Sequence, residues 1–269
     1  MRYKYSIFLA LAVLALQPSA QAATSPWTDT PGGRVRVIIE DGIAQGELRG
    51  VLQVDLQAGW KTYWRNPGDS GVPPQVSVAD GVKAKIDFPA PEYFGADQKG
   101  GIGYSRPVSL PLTFQLAQPK NQLKGNAFLG VCDKICIPVL VDFDLPLTSE
   151  AEIASSQKTP QINPQAIAEK TVIDAAFQQL PRAATPEFGV KSFERDADRI
   201  IVEVALPDQS AQGELFLSSE QFSLSVAEPV EGEPQKFMAK IYGKTDQEAE
   251  IDYTLVQNGQ AVSGTLTFK

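Results

Sequence analysis

The chain has 269 residues, with 24 Lys and Arg against 32 Asp and Glu, no histidine and a net charge of −8. That acidic balance argues against nucleic acid and against anionic membrane surfaces as partners. The missing histidines and the lack of a phosphate-cradling glycine motif leave hydrolase, nucleotide-dependent and zinc chemistry unsupported, so no cofactor and no resident metal is expected.

Residues 1–22 read as a secretory signal. Arg2 and Lys4 precede an apolar run from Ile7 to Leu16, and Ala20-Gln21-Ala22 is a small-x-small cleavage site. The run is too short to span a bilayer, and no later stretch reaches the length needed, so the protein is not expected to be membrane-embedded. No cysteine sits at the cleavage site to carry a lipid anchor. Cleavage removes Arg2 and Lys4 and takes the net charge from −8 to −10. The expected product is soluble, lies outside the cytoplasm where disulfides persist, and is long enough for one large or two ordinary domains.

Strand-like alternation begins at Arg34-Val35-Arg36-Val37-Ile38-Ile39-Glu40, turns near Asp41-Gly42 and resumes over residues 47–56. The pattern predicts half-buried antiparallel strands. Gly59-Trp60-Lys61-Thr62-Tyr63-Trp64-Arg65-Asn66-Pro67-Gly68-Asp69-Ser70-Gly71 follows. Its aromatics suit either a core strand ahead of a wide turn or a rigid platform beside a site, and core is the simpler reading. Residues 82–116 hold short strands and a turn-rich insert, Phe88-Pro89-Ala90-Pro91-Glu92-Tyr93-Phe94-Gly95 leading to Gly100-Gly101-Ile102-Gly103-Tyr104. Loops of this kind often carry function.

The only two cysteines lie four positions apart in Gly130-Val131-Cys132-Asp133-Lys134-Ile135-Cys136-Ile137-Pro138. On one extended strand they would be roughly 13 Å apart, too far to bond. Apolar strand-like residues flank them and Pro138 disfavours a helix, so a tight connection at Asp133-Lys134-Ile135 between two strands is the simplest way to join the sulfurs. A loop that short gains only about 2 kcal/mol from closure, and a chain of this length buries a core without it. Spacing alone leaves a staple, an exchangeable redox pair and a metal site open.

Composition turns polar and small at residues 148–162, a linker. Asn163-Pro164 is a good helix start, and residues 165–180 read as a connecting helix with Ile173, Phe177 and Leu180 on one face, stopped by Pro181. Strand patterns return at residues 199–206, 214–217, 222–226 and 236–242. Asn258-Gly259 between two alternating runs predicts a hairpin with a type I′ turn. This region has no Cys, His or Trp and no chemical constellation. Its expected role is scaffold or partner surface.

The Trp60 to Gly71 motif and the Val131 to Pro138 motif together resemble the N-terminal periplasmic domain of DsbD and its relative ScsB, bacterial thiol:disulfide interchange proteins. Pro89-Ala90-Pro91-Glu92, Gly103-Tyr104 and Val108-Ser109-Leu110-Pro111-Leu112 fit the same pattern, so the resemblance covers about residues 35–147. It implies an immunoglobulin-like β-sandwich carrying the CxxxC pair at residues 23–148. With the linker and helix at 149–185 and the second β-sandwich-like domain that the strand patterns predict at 186–269, the expected fold class is all-β, a two-domain layout nearer to ScsB. It implies that Cys132 and Cys136 are the catalytic pair, and that a cap loop carried by Tyr93 and Phe94 shields their disulfide. The implied partners are a membrane thiol reductase of the DsbD, ScsB or CcdA kind and periplasmic disulfide-containing proteins. The chain departs from DsbD in its shorter cysteine spacing and in lacking the membrane core and the C-terminal thioredoxin domain, so a separate protein is expected to supply electrons.

Two other functions compete. Two thiolates bind Cu(I), and ScsB relatives are linked to copper tolerance, but the two methionines include the initiator and no histidine is present, which is a poor multi-ligand set. A binding module with a structural disulfide would use Trp60, Tyr63 and Trp64 as its surface.

Overall fold

The computed structural model describes residues 23–40, 46–68, 71–95, 101–118, 120–147, 164–243 and 249–268. The expected leader, the turn at Asp41-Gly42, the polar linker and the Asn163 cap lie outside them. No helix among the described residues is long and apolar enough to cross a membrane.

Two antiparallel sheets form the first sandwich. One runs Ala23–Thr24, Gly33–Ile39, Glu47–Leu56, Val108–Gln115, Lys83–Ile86 in spatial order, with Thr28–Thr30 pairing beside Gly33–Ile39. The other runs Cys136–Pro146, Gln122–Cys132, Lys61–Tyr63, Ile102–Tyr104, Glu92–Tyr93, with Gln75–Val78 also on Gln122–Cys132. Period-two patterning explains the inner faces. Val139, Val141, Phe143 and Leu145 point inward from Cys136–Pro146 while the residues between them are exposed. They meet Val35, Val37, Leu52, Val54, Leu110 and Leu112 of the facing sheet in one core.

The expectation of half-buried strands fails at the outer face of the first sheet. Ile38 and Val51 point away from the sandwich and are fully buried beneath the helix Pro164–Gln178, which sets Ile173 and Ala176 against them. The adjacent apolar residues Val37-Ile38-Ile39 and Val51-Leu52 belong to strands covered on both sides. Phe177 packs at the rim of this contact. Leu180 lies past the last helical residue and is only half-buried, so the buried stripe runs Glu169, Ile173, Ala176 rather than toward Leu180. Asp174 accepts from Arg49 Nη2 at 2.5 Å, and Thr24 Oγ1 donates to Glu169 at 2.7 Å.

The second sandwich pairs Arg182–Ala183, Gln260–Phe268, Ala249–Gln257, Glu214–Ser218 in one sheet. Its other sheet is Gly189–Asp196, Arg199–Ala205, Glu233–Tyr242, Ser223–Leu224, with Glu228–Val230 beside Glu233–Tyr242. Ile200, Val202, Val204, Leu215, Leu217, Phe237, Ile251 and Leu255 form a separate core. The Asn258-Gly259 turn is as expected: Gln257 pairs Gln260, and both turn residues have positive φ, 51° and 73°. Only Ser223–Leu224 of the 222–226 run is strand.

Candidate functional site

The cysteines end a long hairpin. Gln122–Cys132 and Cys136–Pro146 pair in continuous register from Gln122 opposite Pro146 to Cys132 opposite Cys136. Asp133-Lys134-Ile135 closes it, with Asp133 N donating to Ile135 O at 3.2 Å. Opposed strand residues stand close enough for a disulfide. The Cα atoms of Cys132 and Cys136 are 4.1 Å apart and their sulfurs are bonded.

The two sulfurs have unlike surroundings. Cys132 is 1% exposed, whereas Cys136 is exposed and its neighbour Ile135 is 70% exposed. Cys132 clusters with Tyr63 and Phe94. Strand Lys61–Tyr63 lies alongside, with Lys61 opposite Cys132 and Thr62 opposite Val131. Thr62 Oγ1 donates to Gly130 O at 2.9 Å and pins that edge. Alternation then turns Thr62 and Trp64 inward and leaves Lys61 and Tyr63 on the disulfide side. The Tyr63 hydroxyl is 3.5 Å from Cys136 Sγ. Burial pushes the Tyr63 phenol up from its ordinary range, so it stays protonated and is a hydrogen-bond donor toward that sulfur.

Phe94 lies edge-on to Tyr63 with ring centroids 6.0 Å apart, and the Lys61 ammonium sits 4.9 Å from the Phe94 ring centre. Phe94 N donates to Gly101 O at 2.9 Å. The glycines beneath are required by close approach. A Cβ on Gly103 would stand 2.1 Å from Thr62 O and 2.7 Å from Tyr63 Cα, and one on Gly101 would crowd Pro67 O at 3.0 Å. This apolar insert packs over one side of the cysteine pair.

The structure therefore brings Cys132, Cys136 and Phe94 together. It does not bring Tyr93 to them. Tyr93 faces the other way, stacked on Phe216 of the second sandwich at 4.5 Å, its hydroxyl donating to Leu215 O at 2.7 Å. Trp64 is fully buried and Tyr63 nearly so, so these two present no binding surface, and Trp60 packs partly buried against the first core. Sequence reasoning missed Lys61 and Tyr63 as neighbours of the pair. Their alternation with Thr62 and Trp64 was the available signal. Among the described residues no group of three or more Cys, Asp or Glu is placed to hold a metal ion.

Residues 35–148 match the family model for the N-terminal domain of the thiol:disulfide interchange protein DsbD. Among solved structures the chain is similar to the N-terminal periplasmic domain of ScsB from Proteus mirabilis, at 19% identity over 92% of this chain and 99% of that one, with a TM-score of 0.69. That likeness gives a common fold across both sandwiches. A marsupial T cell receptor shares 13% identity over 89% of this chain and 98% of its own, at a TM-score of only 0.21. No curated protein matches the chain.

Proposed function

We propose that this chain, whose residues 35–148 match the family model of the DsbD N-terminal domain, is a periplasmic thiol:disulfide interchange module that passes electrons through Cys132 and Cys136. The unequal exposure of the two sulfurs carries the reading. In the electron-accepting step, a thiolate of a reduced dithiol partner attacks Cys136 Sγ. The partner-sulfur to Cys136 bond forms, the Cys132–Cys136 bond breaks, and its electron pair leaves on Cys132 as a thiolate that takes a proton from water. The partner's second thiolate then attacks its own sulfur in the mixed disulfide and releases Cys136. The pair has gained two electrons, and the partner is oxidised to its disulfide.

Delivery reverses these steps on a substrate disulfide, with the Cys136 thiolate as nucleophile and Cys132 resolving. The Tyr63 hydroxyl donates to the Cys136 thiolate, and Lys61, opposite Cys132, favours negative charge on that side. Phe94 shields Cys132 from oxidants and unselected thiols. In this reading the donor is a membrane thiol reductase and the acceptors are periplasmic disulfide proteins. The leader at residues 1–22, a redox domain at 23–148 and a second domain at 186–269 are parts of the same proposal.

Equilibration of the purified protein with glutathione redox buffers tests it. The expected result is a midpoint within reach of the glutathione couple, and a mixed disulfide with a thioredoxin-like partner. A pair that stays oxidised far below that range and traps no partner is a staple.

A further inference from the structure

We propose that the second sandwich positions the disulfide's cover, with Phe216 and Tyr93 as positioning residues that hold Phe94 over Cys132. This rests on the thiol-exchange reading above. Strand Glu92–Tyr93 is two residues long and ends its sheet, paired among the described residues only with Ile102–Tyr104. So short a ladder at an edge holds little by itself. Phe94 follows the strand directly, its N donating to Gly101 O at 2.9 Å, and lies on Cys132 while Tyr93 lies on Phe216, so whatever fixes Tyr93 constrains Phe94 through the bond that joins them.

The second sandwich fixes Tyr93. Its strand Glu214–Ser218 is tied to the first sandwich along its length. Leu215 O accepts from the Tyr93 hydroxyl at 2.7 Å, and Leu217 O accepts from Asn66 Nδ2 at 2.8 Å. Between them Phe216 is fully buried and belongs to the core of the first sandwich, not of its own. Its ring stacks on Tyr93 and meets Trp64 edge-on at 6.1 Å. Arg65 Nη1 pairs with Asp252 at 2.9 Å at the border of the contact. Burial pushes the Tyr93 phenol well above its ordinary range, so the hydroxyl remains a donor at every working pH. A change in the docking of the second sandwich thus reaches the disulfide through one peptide bond.

The test is the rate at which iodoacetamide labels Cys132 in the otherwise wild-type full chain carrying Cys136→Ser, followed by intact mass, since only Cys132 lies under the cover. The variants are Phe216→Ala, Tyr93→Phe and Phe94→Ala, with Val202→Ala as a lesion confined to the second core. Loss of the stacked pair in Phe216→Ala should speed labelling about 2- to 10-fold, and loss of the hydroxyl bond in Tyr93→Phe should also speed it about 2- to 10-fold. Val202→Ala should match wild type, and with both cysteines present the midpoint against glutathione should be the same in Phe216→Ala, Tyr93→Phe and Val202→Ala, because neither positioning residue touches a sulfur.

Wild-type rates in Phe216→Ala and Tyr93→Phe beside a faster Phe94→Ala would overturn the positioning role and leave the cover intact. A wild-type rate in Phe94→Ala would remove the cover itself. Equal acceleration in Val202→Ala would assign the effect to general loosening and overturn the proposal. If Phe216→Ala fails to fold, Tyr93→Phe decides. A midpoint far below the glutathione range in wild type would instead defeat the exchange reading, whatever the rates.

Discussion

Removing one cysteine at a time separates the two sulfurs. In Cys132→Ser the remaining thiol is on exposed Cys136. In Cys136→Ser it is on Cys132, which is 1% exposed beneath Tyr63 and Phe94. A reagent reaches Cys132 only when Phe94 lifts. Lifting breaks the edge-on contact with Tyr63, worth about 0.5–1.5 kcal/mol, and the Lys61 contact with the ring, worth about 0.5–1 kcal/mol. The sum, about 1–2.5 kcal/mol, makes the open form roughly 5- to 60-fold less populated than the closed one. Iodoacetamide should therefore label Cys136→Ser about 5- to 60-fold more slowly than Cys132→Ser at pH 8, read by intact mass against time. Only Cys132→Ser should accumulate mixed disulfides with extract proteins. Equal labelling rates, or a faster Cys136→Ser, would refute both the cover and the assignment of Cys136 as the attacked sulfur.

Three further outcomes check the structure around the pair. Gly103→Ala should lower stability by about 1–3 kcal/mol and speed disulfide reduction, because its Cβ meets backbone at Thr62 and Tyr63; an unchanged urea midpoint would show that the insert is packed otherwise. Ile173→Ala should cost about 2–5 kcal/mol in urea unfolding without moving the redox midpoint, since the helix lies on the sheet that does not carry the cysteines. Hydrogen bonds from Lys170 and then Arg49 hold the Asp174 carboxyl below its ordinary pKa of 3.8. A depressed carboxyl stabilises above its unfolded-state pKa and loses that contribution as pH falls through the folded-state value. Wild type should therefore melt above Asp174→Asn at pH 6, and the gap should close below about pH 4; a gap constant down to pH 2 would refute the ion pair's part.

The sandwiches were legible wherever one face of a strand is wet. Alternation at Val139, Val141, Phe143 and Leu145 marks an inner face directly, and Asn258-Gly259 supplies two residues that tolerate positive φ. Alternation fails where both faces are covered. Val37-Ile38-Ile39 carries one set of contacts for the core and another for a helix far along the chain. The run Leu215-Phe216-Leu217 has the same character: Leu215 and Leu217 fill the second core while Phe216 enters the first. The cysteine pairing followed from the flanking strands. The split between Tyr93 and Phe94 did not, because the side each takes depends on where Phe216 docks. Lys61 escaped notice because its nearness to Cys132 is a matter of sheet register.

The disulfide adds little that the hairpin lacks. The ladder between Gln122–Cys132 and Cys136–Pro146 is continuous from Gln122 opposite Pro146, and its inward residues are locked into the first core. The bond sits at the tip of the hairpin, with Cys132 buried and Cys136 exposed, where loop closure contributes only about 2 kcal/mol. When it opens, the strands that hold the two sulfurs face to face remain paired, so the thiols stay within reach and re-form the bond without a search. A staple would be placed where chain ends or distant segments need restraint. Here the scaffold restrains the cysteines instead, and it leaves one of them uncovered. That arrangement suits repeated exchange, because the geometry of the pair survives its own reduction.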